Sequence, residues 1–496
     1  MSRRTQVRSI ALRRLACMML LVVGAAAIVT APTGAGAANT ATTASAPKSW
    51  DPRLEPIANK VAELRKLNFV HPVAAEFLDD AAFDKKVAID KGKLTKQDKA
   101  DIARAQGQLR AVGLIGPDVD IVDAMSSLQT SGVLAYYDPA TKKITVKGKS
   151  IDDPATRVTV AHELTHALQD QHFDLQKLEK DAAKAHASTP LRTVVEGDAV
   201  RIQDDYANSL SKADQDAYEQ ERSNASQQAR SEVDAKGVPE SLSVLFEAPY
   251  DLGPTMLQAV IAKEGEHGID GLFEHPPTAD ASYLTPSTLL EHRVFKNVGP
   301  PALAAGEKRS GEPDVFGAFA LYQVLASRLD PGAALTAADA WGGDSMVTFT
   351  RHGTTCLRAR FVGKTGDGTQ TIGAALAQWA TQMPAGAAQV DGKADGATLT
   401  ACDPGANATE APNRALTALI FAGNRDSLFS EVLKQGLPVN VASCAADGVV
   451  RDPSFAPVIA AATDDPSASP DAGVIDAVRA RVPTILQGCV ASHGST

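Results

Sequence analysis

Several features are scarce or missing in this chain of 496 residues. No internal repeat is present, which excludes a solenoid or propeller. Sustained heptads are missing too, so a long coiled coil is excluded. There is no long block of one charge sign, and the net charge of −10 argues against a general nucleic-acid binder. Aromatic residues are few, at 5%. Cysteine occurs five times, at wide and irregular spacing unlike a zinc–cysteine site. None falls between Cys17 and Cys356, so the middle of the chain is not stapled.

Apart from its N-terminus, the chain has the composition of an ordinary globular protein, with 44% hydrophobic and 22% charged residues. Its length allows two or three domains and a sizeable core. The N-terminus is different. The stretch MSRRTQVRSIALRR carries five arginines and no acid, and an apolar run of 15 residues, LACMMLLVVGAAAIV, follows it. A membrane-spanning anchor needs about 20 apolar residues. Ala35-Gly36-Ala37 then offers a small-residue cleavage site. This pattern reads as a secretory signal peptide over 1–37, followed by a flexible Ala/Thr/Ser-rich linker over 38–50. The mature protein is expected outside the cell or at its surface, with no stable membrane anchor. Export suits the remaining cysteines: Cys356, Cys402, Cys444 and Cys489 are even in number. Three pairings are possible, and order along the chain favours Cys356–Cys402 with Cys444–Cys489.

The chemistry concentrates in VAHELTHALQDQHF, residues 160–173. Residues four apart share a helix face, so His162 and His166 can point two imidazoles at one ion. Glu163 lies about 100° round the helix, where a general base for a zinc-activated water would sit. Asp153 suits the N-cap of this helix and Pro154 its first position. A catalytic zinc takes three protein ligands and keeps one position open. Glu196, in VVEGDAV, is the candidate for the third. It follows His166 by 30 positions and is the only acid in 191–197. An acid on an apolar helix side needs a partner such as a metal.

The segments GVLAYYDP, HELTHALQDQHFDL, VEGDA, HPPTADASYLTP and AWGGD occur in that order. Together they resemble a family of exported prokaryotic proteins with a neutral zinc-metallopeptidase domain of the gluzincin (HExxH…E) type. The resemblance spans about residues 64–349. It implies one Zn²⁺ per chain on His162, His166 and Glu196, with Glu163 as base and a peptide or protein as substrate. It also implies that the strand of Val133, Ala135 and Tyr137 forms the sheet edge above the cleft, where an extended peptide would pair with the backbone. Thermolysin-like enzymes carry an aspartate four residues after the glutamate ligand, to orient a histidine. Val200 stands there in this chain, which leaves Asp170 and Asp198 as candidates for that supporting role. Thr285 replaces a histidine of the relatives. Tyr206, Tyr250, Tyr283 and His292 are candidates for stabilising an oxyanion.

The fold expected is α+β and zincin-like. A twisted sheet would carry the hairpin of residues 132–148 as its edge and pack on the histidine helix. A mostly helical second lobe would supply Glu196. Further helices are expected at 56–67, 96–112, 212–235 and 314–329. A Pro-rich loop is expected at 274–286, and a tight turn with a packed indole at Trp341-Gly342-Gly343-Asp344. The peptidase domain would run over 51–350. A strand-and-loop extension over 351–404 would hold the first cysteine pair, and a small helical unit over 405–496 the second. The function implied is a secreted zinc peptidase. The alternatives are a non-catalytic, zinc-stabilised surface or wall-associated binding protein, and a hydrolase of non-peptide amides in the cell wall.

Overall fold

The computed structural model describes residues 46–131, 133–393, 395–410, 414–464 and 470–493. The expected signal peptide and most of the linker lie outside these residues. No helix among the described residues is long and apolar enough to cross a membrane.

The protein is α+β, with two small sheets set among many helices. The first sheet holds β1 (Ala74–Leu78), β2 (Ala135–Asp138) and β3 (Lys143–Lys147) in the order β1-β3-β2. β1 runs parallel to β3, and β2 pairs with β3 as an antiparallel hairpin, so β2 is an edge. The expected hairpin forms, with one face buried: Ala135, Tyr137, Ile144 and Val146 enter a core with Val160, Leu164 and Leu168. That core fastens the sheet to the helix Pro154–Phe173. The helix starts as its sequence dictates, with Asp153 Oδ1 accepting from Thr156 N at 2.7 Å and Pro154 at the first position. It ends at Asp174, which adopts φ 52° and caps the next helix.

Two longer helices lie across this unit. Ser188–Ser209 carries Glu196, and Glu240–Glu264 packs against it. Their crossing is set by two glycines. A Cβ on Gly197 would stand 2.6 Å from the Gly253 carbonyl carbon, and one on Gly253 would stand 2.6 Å from Thr193 O. Neither position has room for a side chain, so the backbones touch directly.

The second sheet is antiparallel: β4 (Lys308–Arg309), β5 (Trp341–Arg351), β6 (Thr354–Gly363), β7 (Ala388–Lys393) and β8 (Gly396–Cys402), in the order β4-β5-β6-β8-β7. Two expectations need correction here. Trp341-Gly342-Gly343-Asp344 is not a tight turn but the start of β5, and a bulge between Trp341 and Gly343 absorbs the irregularity. Pairing with β6 overrides the turn preference of Gly-Gly-Asp. The indole is packed as expected, 3% exposed, with Nε1 donating to Asp344 Oδ1 at 2.8 Å. The boundary drawn between 350 and 351 falls inside β5, because the two halves of one hairpin were assigned to different units.

Cys356 and Cys402 are bonded across β6 and β8, where they are register partners. Cys444–Cys489 ties helix Val439–Val450 to the tail helix Ala472–His493. Both pairings follow sequence order. Helix Ala415–Lys434, placed in a separate unit by the sequence reading, buries Ala418, Leu419 and Ala422 in the same core as Leu321 and Tyr322. The other expected helices form at Glu55–Arg65, Lys96–Ala111, Lys212–Ala235 and Ala318–Ala326. The Pro-rich loop holds the short helix Ala281–Leu284.

Two predictions follow from this packing. Gly197→Ala must separate the crossing helices, an overpacking cost of about 1–3 kcal/mol or more. Denaturant unfolding should show that loss, with weakened metal retention because Glu196 is the neighbouring residue. The second concerns Glu307, whose carboxylate is 3% exposed and meets Arg351 at 2.6 Å and Arg358 at 2.9 Å. Its hydrogen bonds to Arg358 and Arg351 outweigh burial and hold its pKa near 2, against an ordinary 4.5. A depressed carboxyl contributes stability above its unfolded value and loses it as pH falls through the folded one. Stability should therefore drop between about pH 4.5 and 2. In Glu307→Gln a pH series of thermal melts should be lower at pH 7 and flatter across that window.

Candidate metal centre

His162 and His166 stand one turn apart on the Pro154–Phe173 helix, with their rings nearly perpendicular and Nε2 atoms 3.0 Å apart. Glu196 reaches them from the facing helix, and its Oε2 lies 3.4 Å from each Nε2. All three side chains are 2% exposed or less. A tetrahedral ion with bonds of about 2.0–2.1 Å requires donors about 3.3 Å apart. The triangle of 3.0, 3.4 and 3.4 Å has that size. Glu196 Oε2 makes no hydrogen bond of its own, although it is buried. Two imidazoles and one carboxylate suit a borderline cation such as zinc, and the three residues could hold a metal ion.

His166 is turned toward this point by a chain of buried polar groups. Gln169 Nε2 donates to Val195 O at 3.0 Å and to Asp198 Oδ2 at 3.1 Å. Its Oε1 is therefore the acceptor that faces His166 Nδ1, at 3.0 Å. That bond places the proton on Nδ1 and leaves the Nε2 lone pair for the ion. Asp198 is held in turn by Arg65 Nε at 2.8 Å and Arg201 at 3.0 Å, and Arg65 also binds Asp270 at 2.6 Å. Of the two aspartates expected to support the ligands, Asp198 does so through Gln169. Asp170 has another task. It accepts from the Tyr137 hydroxyl at 2.5 Å, Lys142 Nζ at 2.7 Å and Leu175 N at 3.0 Å, which pins the hairpin to the helix.

Glu163 sits beside the triangle, fully buried. Its Oε2 accepts the Tyr137 amide at 2.6 Å, while Oε1 has no hydrogen-bond partner. Burial pushes its pKa up to about 8, against the opposing pull of His166 and the Tyr137 amide. Burial would raise Glu196 as well, but the two imidazoles outweigh it and bring it to about 2. Burial would lower His166; Glu196 and Glu163 outweigh that and raise it to about 9. His162 moves downward, chiefly through burial. With no ion bound, the triangle thus retains a proton, which a cation would displace.

Strand β2 carries the expected edge. Leu134 O pairs with Lys147 N, so by alternation the backbones of Val133, Ala135 and Tyr137 face away from β3. The Tyr137 amide is engaged by Glu163, which leaves Val133 and Ala135 as the outward positions of the edge. The side chains of all three are buried.

The four side chains expected as oxyanion candidates lie in different surroundings. Tyr250 stacks near His162, with centroids 6.5 Å apart and planes 26° apart, and its hydroxyl meets both Arg192 and Glu196. Tyr206 faces Arg157 and Asp214, Tyr283 packs on Phe319, and His292 is exposed. His172 bonds Asn68 O at the end of its helix. Thr285 bonds Asp339. The Pro-rich loop and the Trp341–Asp344 segment meet around a cavity of about 610 Å³. There Asp280 accepts from the amides of Ala318 and Phe319, and Asp344 from those of Phe316 and Gly317. Burial raises both carboxyls to about 6.

Sequence reasoning missed Gln169, Arg192 and Arg65. The first two carried a signal: Gln169 follows His166 by three positions and Arg192 precedes Glu196 by four, both same-face spacings. Arg65 carried none, standing 133 positions from its partner Asp198.

Comparison of the chain with protein-family models, with curated proteins and with solved structures returns no match.

Metal analysis of purified variants checks the centre. His162→Ala should abolish stoichiometric metal. Gln169→Leu should keep the fold and weaken metal affinity about 10- to 100-fold, through loss of the bond that orients His166.

Proposed function

We propose that this chain is an exported zinc-dependent peptidase of the gluzincin type, with one ion per chain and a peptide or protein as substrate. The observation that carries this reading is Glu163 Oε1. It is a buried carboxylate oxygen without a partner, next to a His₂Glu donor triangle of tetrahedral size. A metal kept only for stability would require no such group and would close its fourth position. The signal-like N-terminus and two disulfides fit export.

His162, His166 and Glu196 would hold the ion. When bound, zinc supplies Lewis acidity toward water and toward a carbonyl oxygen. Glu163 Oε1 takes the proton of the attacking water and passes it to the leaving amine. Tyr137, through its amide on Oε2, keeps the carboxylate from rotating away. The outward backbone of Val133 and Ala135 aligns the substrate as an added strand. Tyr250 Oη turns its one proton from Glu196 to the oxygen on which negative charge develops. Burial of the whole set excludes bulk water and strengthens each of these interactions.

Glu163→Gln separates catalysis from binding. The variant should retain one metal per chain and lose hydrolysis of casein or a peptide library by about 10²- to 10⁴-fold. A chelator should abolish wild-type turnover and added zinc restore it. An active Glu163→Gln variant would refute the role of the base. A zinc-loaded wild type inert toward every peptide would favour the binding-protein alternative.

A further inference from the structure

One charged side chain at the centre lacks adequate partners. Arg192 stands on the Glu196 helix, with its guanidinium 5.0 Å from the ring of Phe246 and 5.4 Å from that of Tyr250. Its side chain is 20% exposed. Nη2 makes only long contacts, 3.5 Å to Phe246 O and 3.4 Å to Tyr250 Oη. Nε is buried with no hydrogen-bond partner and stands 3.9 Å from Glu196 Oε1. That separation is beyond hydrogen-bond length. An i,i+4 pair on one helix could close further if pairing were its purpose, yet the Glu196 carboxylate is engaged by Tyr250 and the imidazoles instead.

A guanidinium has five N–H donors, and withdrawing it from water without matching acceptors is costly. Contact with the two neighbouring rings restrains its plane and leaves its edge to accept a ligand. The ligand that matches such an edge is a carboxylate. Reach sets the position of that carboxylate. Nε lies within about 6 Å of the metal-facing oxygen of Glu196, given carboxylate dimensions. In a peptide, one residue separates the scissile carbonyl carbon from the next carbonyl or carboxyl carbon by about 3–3.7 Å, from standard backbone dimensions. An arginine–carboxylate bond adds about 2.8 Å. A substrate whose carboxylate sits on Arg192 would therefore place the last peptide bond at the centre, and a longer chain would have to pass through the guanidinium.

We infer that Arg192 anchors the α-carboxylate of the substrate, so that this protein releases single residues from peptide C-termini. This rests on the peptidase reading above and narrows it to a substrate class. In the step itself, water adds to the last amide carbon and the C–N bond breaks. The water proton passes to the departing amine, and the products are a shortened peptide and a free amino acid.

The test uses the purified, zinc-loaded chain and matched acyl-dipeptides ending in a free carboxylate or in an amide. The wild type should favour the free acid in kcat/KM by roughly 10- to 100-fold, the scale of one charge-assisted bond. Arg192→Met should erase that acid-to-amide ratio, whatever the absolute rates, while Arg192→Lys should restore part of it. Equal cleavage of acid and amide by the wild type overturns the inference. So does an Arg192→Met variant that loses both in proportion, since Arg192 would then serve only to hold Glu196. A second measurement is independent of turnover: calorimetric binding of acetyl-leucine and acetyl-leucinamide to Glu163→Gln. Tighter binding of the acid, lost when Arg192→Met is added to that variant, supports the anchor even if no peptide is hydrolysed and the peptidase reading fails. Equal binding overturns it.

Discussion

The centre depends on a contact with no side chain in it. Gly197 and Gly253 let two long helices meet backbone to backbone, with no space for even a methyl group. Glu196 precedes Gly197, so the crossing lays the second of these helices directly beside the glutamate that faces the histidines. The same crossing brings Tyr250 to the ring of His162 and Arg192 to the faces of Phe246 and Tyr250. One steric constraint thus gathers Tyr250, Phe246 and Arg192 around Glu196.

Packing alone would not keep these groups in line, since imidazoles and carboxylates buried without partners are unstable in a low-dielectric interior. The structure answers with a continuous polar chain from His166 through Gln169, Asp198 and Arg65 to Asp270. A second set of bonds runs from Asp170 to Tyr137 and Lys142 and ties the edge strand to the same helix. The Tyr137 amide on Glu163 joins the two sets. Strand, histidine helix and glutamate helix are therefore held in one frame. Among the atoms left without partners inside it are Glu196 Oε2 and Glu163 Oε1, which the proposed chemistry requires.

Much of this was legible in sequence where the signal is local. The Asp153-Pro154 start of the histidine helix, the hairpin and the same-face spacing of His162 and His166 each depend on neighbours within a few residues. Glu196 was legible for a different reason: an acid in an apolar helical stretch is costly unless it has a partner. The tetrad at Trp341 misled because its Gly-Gly-Asp composition favours a turn in isolation, while a strand about 20 residues further on pairs with it. The C-terminal helices were read as a separate unit because their core partners, such as Leu321 and Tyr322, lie far back in the chain.

The sequence by itself determined the chemistry on offer: two imidazoles on one helix face, a carboxylate beside them, another on a second helix, and cysteines in pairing order. Spacing along a helix is a periodic property that the chain carries with it. Only the tertiary structure decided which distant groups complete the centre. Arg65 reaches Asp198 across 133 positions, Tyr250 stands beside His162, and Arg192 was left with donors to spare. These depend on how closely helices cross and which polar atoms lose water together, and neither is encoded at any fixed separation in the chain.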